Sequence, residues 1–180
     1  MVVFDANVLS LLLHPNARPP DDPNTKKPVD RVEDRLAQLV SDLKAQQHRI
    51  AIPTPVLAEF LVLAEDDGPK YLTQLGKASE FVIVPFDELA AVELAAMEIG
   101  ARKAGDKRGG SEAPWNKIKI DRQVVAISRV IGADRIYSDD GDIARFAAQV
   151  GLQVVQTWNL PLPPATQLDM GFQDGDDSSS

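Results

Sequence analysis

The sequence predicts an α/β fold: a central, mainly parallel five-stranded sheet with helices on both faces, in three layers. Five short runs of apolar, β-forming residues alternate with longer segments of helical periodicity, and such alternation is typical of βαβ units. The first run, Val2 to Phe4, is apolar at every position, as expected for a strand that is covered on both faces. At 180 residues, the chain is long enough to bury one sizeable core.

The elements follow from the spacing of apolar residues. Strands are expected at residues 2–4, 49–53, 81–84, 135–138 and 152–155. Helices are expected at residues 8–13, 29–43, 54–65, 70–79, 87–103, 118–131 and 142–150. Two helix starts carry further signals. Thr54 can cap a helix whose first position is Pro55, and Asp87 can cap the long helix that follows it.

Composition divides the chain into one domain and a tail. Residues 1–158 are expected to form the domain. A polar, proline-rich insertion at about residues 14–29 lacks periodicity and is expected to be mobile. Residues 159–180 are rich in Pro, Gly, Asp and Ser and are expected to be disordered.

Composition also excludes several kinds of function. The chain has no cysteine, which excludes a disulfide framework, a zinc–thiolate site and a thiol nucleophile. No apolar run reaches membrane-spanning length and no cleavable leader is evident, so we expect a cytoplasmic protein without a membrane partner. The net charge of −8 does not by itself exclude a nucleic-acid partner, because four of the acids lie in the tail and residues 102–122 are locally basic.

The predicted topology places four acids at one edge of the sheet. Asp5 directly follows the first strand and Asp140 lies just after the fourth, and parallel strands bring their carboxyl ends to the same edge. Glu59 lies about one turn into a helix that starts at that edge, and Asp121 lies near the start of helix 118–131. We therefore expect these carboxylates to meet.

A site of clustered carboxylates favours Mg²⁺ or Mn²⁺. Its ligands are hard oxygen atoms, and the absence of cysteine and of a suitably placed histidine argues against zinc. Carboxylates at close range repel one another, so a cation is needed to neutralise them. A divalent ion held in this way can lower the pKa of a water molecule and stabilise charge on a phosphodiester.

Four segments resemble, in order and spacing, the motifs of PIN-domain nucleases. Residues 5–9 (Asp-Ala-Asn-Val-Leu) resemble the opening motif, and residues 54–61 (Thr-Pro-Val-Leu-Ala-Glu-Phe-Leu) resemble the second. Residues 120–127 (Ile-Asp-Arg-Gln-Val-Val-Ala-Ile) resemble the third, and residues 138–143 (Ser-Asp-Asp-Gly-Asp-Ile) resemble the last. The resemblance spans roughly residues 2–155.

The resemblance implies a metal-dependent endoribonuclease in which a metal-activated water attacks the RNA phosphate. The catalytic and metal-binding residues that it implies are Asp5, Glu59, Asp121 and Asp140, with Asp142 as an additional metal ligand. Asn7 and Ser138 would orient these ligands or contact the phosphate. The chain departs from the family where Ser138 replaces the usual Thr and Ile143 the usual aromatic residue. The VapC-like members are toxins held inactive by a cognate antitoxin, and dimerisation is also expected from the family.

The locally basic segment is a candidate RNA-binding surface. Its candidate RNA contacts are Lys107, Arg108, Trp115, Lys117 and Lys119. The indole ring can stack on a base and the cations can bind phosphates. An ordinary solvated surface is the alternative interpretation of this segment.

Each acid also has a purely structural interpretation. Asp5 could be a turn residue, Glu59 an exposed helix acid, and Asp121 a first-turn residue favoured by the helix dipole. Asp142 fits the N-cap position of the last helix, and Asp139 is expected to be solvated.

Two other kinds of protein remain as alternatives. A PIN fold without cleavage would serve as an RNA- or protein-binding module. A phosphatase or phosphotransfer domain also places an Asp after its first strand. A haloacid-dehalogenase-like enzyme, however, needs a second Asp where this chain has Asn7, and a response-regulator receiver needs an acceptor Asp where the third strand here is followed by Pro85.

Overall fold

The computed structural model describes residues 1–163 of the chain. Its strands are β1 (Val2–Phe4), β2 (Ile50–Pro53), β3 (Phe81–Val84), β4 (Arg135–Tyr137) and β5 (Gln153–Val155). Its α-helices are α1 (Ala6–Leu13), α2 (Val32–Ala45), α3 (Thr54–Ala64), α4 (Gly68–Lys77), α5 (Glu88–Lys103), α6 (Trp115–Val130) and α7 (Gly141–Gln149). None of these helices has the length and apolar character that crossing a lipid bilayer requires. Every predicted strand and helix is present, with ends that differ by a few residues.

The strands lie in the order β3-β2-β1-β4-β5, and every pair of neighbours is parallel. The predicted α/β class with a five-stranded sheet is therefore confirmed, and the sheet is wholly rather than mainly parallel. Strand β1 occupies the centre, in agreement with its apolar run, and all of its residues are buried. Because the strands are parallel, the loops that follow β1 and β4 meet at the same edge.

Each face of the sheet carries its own apolar core. Successive side chains of a strand point to opposite faces, so Val3 packs on one face and its neighbours Val2 and Phe4 on the other. The first core is completed mainly by α3, α4, α6 and α7, and the second mainly by α2. Full burial of one such side chain contributes about 1.5–3 kcal/mol. The two cores produce the predicted three layers.

The segment between α1 and α2 is a loop that returns to the second core. Asp21 and Pro28 form an isolated antiparallel bridge, and Val29 is buried against the core. Helix α2 starts at Val32, three residues later than predicted, because Val29 belongs to the loop that precedes it. The mobility expected of residues 14–29 stays a prediction.

The folded domain extends past residue 158. Leu160 is buried in the second core, and its carbonyl oxygen accepts a hydrogen bond from Arg35 Nη1. The boundary expected at residue 158 lies too early, because this apolar side chain still finds a place in the core. Residues 164–180, most of the predicted disordered tail, lie outside the described residues.

The starts of two helices differ in their capping. Asp87 caps α5 as predicted, because its Oδ1 accepts a hydrogen bond of 2.9 Å from the N–H of Ala90. The capping role predicted for Thr54 is wrong. Thr54 is already the first residue of α3, and its hydroxyl oxygen accepts a hydrogen bond of 3.0 Å from the N–H of Phe86 instead.

A buried arginine joins α5 to α6. Arg122 is 1% exposed; its Nη1 donates to Glu98 Oε1 at 2.8 Å and its Nη2 donates to the carbonyl oxygen of Lys107 at 2.9 Å. Its guanidinium group also lies 4.9 Å from the ring centroid of Phe146. Arg122 belongs to the segment that the sequence marks as basic, but its charge is buried and paired rather than offered to solvent.

Arg122→Ala should lower the free energy of unfolding by about 3–5 kcal/mol, because Glu98 would keep a largely buried charge without its partner. Urea denaturation measures the loss. Arg129→Ala is the matched control, since Arg129 pairs with Glu93 across the same two helices at 3.2 Å but with 49% of its side chain exposed. An exposed pair contributes about 1 kcal/mol or less. Equal losses in the two variants would contradict the role assigned to Arg122.

Candidate metal centre

Two neighbouring strand ends bring Asp5 and Ser138 into contact. Phe4 pairs with Tyr137 in the sheet, so the residues that follow them leave β1 and β4 side by side. Ser138 Oγ donates a hydrogen bond of 2.7 Å to Asp5 Oδ2, and both residues are buried. The register of the sheet therefore sets the separation of these two side chains.

Asp140 is the N-cap of α7 and lies beside the same pair. Its Oδ1 accepts hydrogen bonds from the N–H groups of Asp142 at 2.7 Å and Ile143 at 3.3 Å. Its own N–H donates to Ser138 Oγ at 3.1 Å, so Ser138 links Asp140 to Asp5. The capping role considered for Asp142 is wrong, because α7 begins one residue earlier than predicted.

Asp139 is not the solvated residue that the sequence indicated. Its Oδ1 accepts a hydrogen bond of 2.7 Å from the N–H of Thr157, and its Oδ2 accepts one of 2.8 Å from the Thr157 hydroxyl. Asp139 thus holds the chain after β5 against the loop after β4. The correction arises because the partner lies 18 residues away, beyond any local pattern.

Asp121 reaches the site from the second turn of α6. The helix begins at Trp115 rather than at residue 118, so the first-turn role that the helix dipole favours does not apply to Asp121. Lys117 Nζ lies 2.8 Å from Asp121 Oδ2 and 2.6 Å from Asp140 Oδ2. A positive charge therefore lies between two of the predicted metal ligands.

Asp142 completes a group of three acids. One carboxylate oxygen from each of Asp121, Asp140 and Asp142 lies within 4.8 Å of the other two. Asp142 Oδ2 also accepts a hydrogen bond of 2.7 Å from Ser111 Oγ, and its Oδ1 pairs with Arg145. The loop that precedes α6 is thereby tied to the acidic site through Ser111.

A single cleft of about 730 Å³ is bordered by all four acids that the motifs indicate. Its lining includes Asp5, Asn7, Glu59, Lys117, Asp121 and Asp140. Glu59, on α3, is the exposed member of the four acids. Val62, Phe86 and Ile120 add an apolar wall to the cleft. The cleft therefore combines a carboxylate edge with a surface that can contact an apolar or aromatic group.

Burial governs the charge state of these acids. It raises the pKa of Asp5 to about 7, with help from the negative charges of Glu59 and Asp140. Burial likewise raises the pKa of Asp121 to about 6, although Lys117 opposes the shift. Burial acts on Asp140 in the same direction, but hydrogen bonds from Lys117 and from the first N–H groups of α7 hold its pKa below the usual range. Asp5 therefore has no positively charged partner among the groups that set its pKa, and Lys117 offsets the effect of burial on Asp121 only in part.

The donor set fits a small divalent cation that prefers oxygen ligands. The side chains that line the described cleft offer carboxylate and amide oxygens and neither sulfur nor imidazole. Asn7 Oδ1 is buried and accepts no hydrogen bond from any described residue, so it is free to act as a ligand. The raised pKa values of Asp5 and Asp121 show that burial disfavours their ionised forms. A nearby cation would favour those forms again, so the pKa values agree with a cation site. The residues present therefore fit Mg²⁺ or Mn²⁺.

Most of the candidate RNA contacts have partners inside the chain. Lys107 Nζ lies 4.3 Å from the ring centroid of Trp115, and Arg108 Nε donates to the carbonyl oxygen of Ser111 in its own loop. Lys117 is paired with the acids, whereas Lys119 is exposed on α6. Contact of these residues with RNA stays a prediction.

Sequence reasoning treated Lys117 as an RNA contact and missed its pairing with two acids, and it did not identify Ser111 at all. Lys117 and Asp121 are four residues apart on a predicted helix, and this spacing is a recognisable signal for an ion pair. Ser111 has no such signal, because its partner Asp142 lies 31 residues away across the fold.

Comparison with known proteins identifies the fold. No protein-family model and no curated protein matches the sequence. VapBC2 from Rickettsia felis, solved bound to a DNA fragment from its promoter, is 16% identical over 87% of this chain and 98% of the matched chain, with a TM-score of 0.51. DNA-bound VapBC from Salmonella typhimurium is 12% identical over 87% of this chain and 97% of the matched chain, with a TM-score of 0.52. The chain therefore has a VapC-like PIN-domain fold, as its motifs predicted.

Without metal, the contribution of Asp5 to the free energy of unfolding should rise as the pH falls from about 7 to about 4. The folded-state pKa of Asp5, about 7, lies above its ordinary value of 3.8, so in this range the folded chain binds a proton that the unfolded chain does not. The stabilisation is lost as the pH rises through the folded-state pKa.

Urea denaturation of the wild type and of Asp5→Asn, in the presence of a chelator, measures this effect. Between about pH 8 and about pH 5, the wild type should gain roughly 1–3 kcal/mol more stability than the variant. Asn keeps an oxygen that can accept the hydrogen bond from Ser138 but does not titrate. The same gain in both proteins would show that Asp5 is not the group responsible.

Proposed function

We propose that this chain is a divalent-metal-dependent endoribonuclease and the toxin of a toxin–antitoxin pair. The observation that carries the proposal is the convergence of Asp5, Glu59, Asp121 and Asp140, from four different parts of the chain, on one cleft. The cleft lies outside the carboxyl ends of parallel strands, where open α/β folds bind ligands. The order of the four acids in the chain is also that of the PIN-domain motifs.

In this proposal the four acids and Asp142 hold Mg²⁺ or Mn²⁺. A divalent ion in this position supplies Lewis acidity, which makes water a better nucleophile and offsets negative charge on the phosphodiester. Ser138 keeps Asp5 and Asp140 in register through its two hydrogen bonds. Asn7 adds a buried amide oxygen that can orient a ligand or a phosphate.

The apolar wall of the cleft supports RNA with unpaired bases as the substrate. Phe86 borders the cleft beside Val62 and Ile120, and aromatic rings stack on bases that are not already stacked in a duplex. Lys119 and the loop residues Lys107 and Arg108 are exposed and are proposed to contact phosphates.

The toxin assignment has separate support. The motifs resemble those of PIN-domain nucleases, whose VapC-like members are toxins, and the two solved structures compared above are of VapBC. We therefore propose a cognate antitoxin as the protein partner. The cytoplasmic location expected from the sequence agrees with this function and stays a prediction.

A PIN fold that binds RNA or protein without cleaving it is the second candidate. The ion pairs of Lys117 with Asp121 and Asp140 favour it, because they neutralise part of the acidic cluster without any metal. The metal-dependent nuclease explains more of the site. Lys117 pairs with neither Asp5 nor Asn7, and a divalent cation would give both of them a partner.

Asp140→Asn should abolish metal-dependent RNA cleavage while leaving the fold intact. Asn is as good an N-cap as Asp, so α7 should keep its start, but the site loses one negative charge. The measurement is incubation of purified protein with a structured RNA, with and without Mn²⁺, read on a denaturing gel.

Asp139→Asn is the matched control for this experiment. Asp139 is adjacent in sequence but binds Thr157, and an amide can keep both of those hydrogen bonds, one as acceptor and one as donor. The control should cleave like the wild type. Cleavage by Asp140→Asn would overturn the site, and Mn²⁺ binding without cleavage of any RNA by the wild type would favour the binding module.

We also propose that α5 forms the surface of a homodimer. Leu89, Val92 and Ile99 are 64%, 64% and 53% exposed and share one face of α5, whose buried residue is Ala90. Exposed apolar surface of this kind is typical of protein interfaces.

Val92→Glu should convert the dimer to a monomer, because a charge would have to be buried in the interface. Size-exclusion chromatography with light scattering measures the molar mass. Leu162→Glu makes the same change at an exposed apolar residue outside α5 and should leave the mass unchanged. A wild-type monomer, or a dimer that survives Val92→Glu, would refute this interface.

A further inference from the structure

The ammonium group of Lys117 lies where the carboxylates of the cleft converge. Its Nζ atom contacts Oδ2 of Asp121 at 2.8 Å and Oδ2 of Asp140 at 2.6 Å. Both acids also belong, with Asp142, to the group whose carboxylate oxygens lie within 4.8 Å of one another. Lys117 therefore uses oxygen atoms that a divalent cation at this site would also need.

A contribution to the stability of α6 does not explain why position 117 is a lysine. Lys117 lies in the first turn of α6, where the helix dipole disfavours a positive charge, and that turn contains no acidic residue. An ion pair four residues apart is also weaker when the lysine precedes the acid. The bond to Asp140 connects a different helix altogether. The position of Lys117 is thus explained by the acids of the cleft.

We propose that Lys117 is a placeholder cation, which neutralises Asp121 and Asp140 in the metal-free protein and must be displaced before a divalent ion binds. The inference rests on the proposed function in one respect, that a divalent ion binds these acids. Lys117 is well placed to leave, because 43% of its side chain is exposed and its aliphatic stem is flexible.

Displacement has a consequence for metal affinity. If only a fraction of the protein molecules has Lys117 displaced at any moment, only that fraction can bind the metal ion. The apparent affinity for the ion is then reduced by the same factor. Lys117 therefore weakens metal binding and keeps the metal-free acids from repelling one another. Once displaced, its ammonium group is free to contact a phosphate at the edge of the cleft.

Lys117→Met tests the inference, because Met keeps most of the length of the side chain and removes its charge. Isothermal titration with Mn²⁺ should show about tenfold tighter binding to Lys117→Met than to the wild type. Lys119→Met removes the same charge two residues further along α6, where the side chain is exposed, and should change the affinity less than about twofold.

Chemical labelling provides a second measurement that does not depend on the variant. Lys117 held by two carboxylates should react slowly with an amine-acetylating reagent, and Mn²⁺ should speed the reaction in the wild type. Lys119 should react at the same rate with and without Mn²⁺. Peptide mass spectrometry separates the two sites.

Equal Mn²⁺ affinity in the wild type and Lys117→Met, with unchanged labelling of Lys117, would overturn the placeholder role and leave the proposed nuclease site standing. Weaker binding to a folded Lys117→Met protein would also overturn it, because Lys117 would then support the metal. A wild type that binds no Mn²⁺ would refute the metal site itself, and the inference with it.

Discussion

When a fold brings several carboxylates together, their negative charge must be offset by hydrogen-bond donors or positive charges. The site at the carboxyl ends of β1 and β4 depends on this constraint. Asp5 and Asp121 are almost fully buried and Asp140 is half-buried beside them. Three kinds of donor share the compensation. Ser138 supplies a hydroxyl group, the start of α7 supplies N–H groups to Asp140, and Lys117 supplies a full positive charge. What they leave uncompensated is expressed in the raised pKa of Asp5, and this deficit is the physical reason for expecting a cation.

The loop before α6 is held by one contact to the acidic site and by one contact to a buried arginine. Ser111 binds Asp142 at the acidic site, and Arg122 binds the carbonyl oxygen of Lys107 at the other end of the loop. Gly109 lies between them with a φ of +61°, and a Cβ atom there would approach Phe146 Cε1 to 3.0 Å. A glycine is needed at this close approach. The loop is thus fixed by one buried cation and one acid of the site, rather than by an apolar core of its own.

The sequence predicted what depends on local pattern and failed where distant partners decide. Apolar runs such as Val2 to Phe4 and the parallel topology were enough to place Asp5 at the correct edge of the sheet. The pattern could not show that Asp139 turns to Thr157, because that contact depends on how β5 leaves the sheet. The burial of Arg122 could not be predicted either, because nothing in the sequence near it distinguishes a buried arginine from the other basic residues of the segment.

The register of the central strands also bears on the timing of synthesis. Strand β1 is made first, but its neighbour β4 begins at Arg135, so Asp5 acquires Ser138 only after most of the domain has been translated. Contacts between distant parts of a chain form late in folding. A nascent chain on the ribosome therefore holds Asp5 and Glu59 without the remaining acids of the cleft. Whatever chemistry this cleft performs therefore begins only after translation has passed Asp140, the last of its acids along the chain.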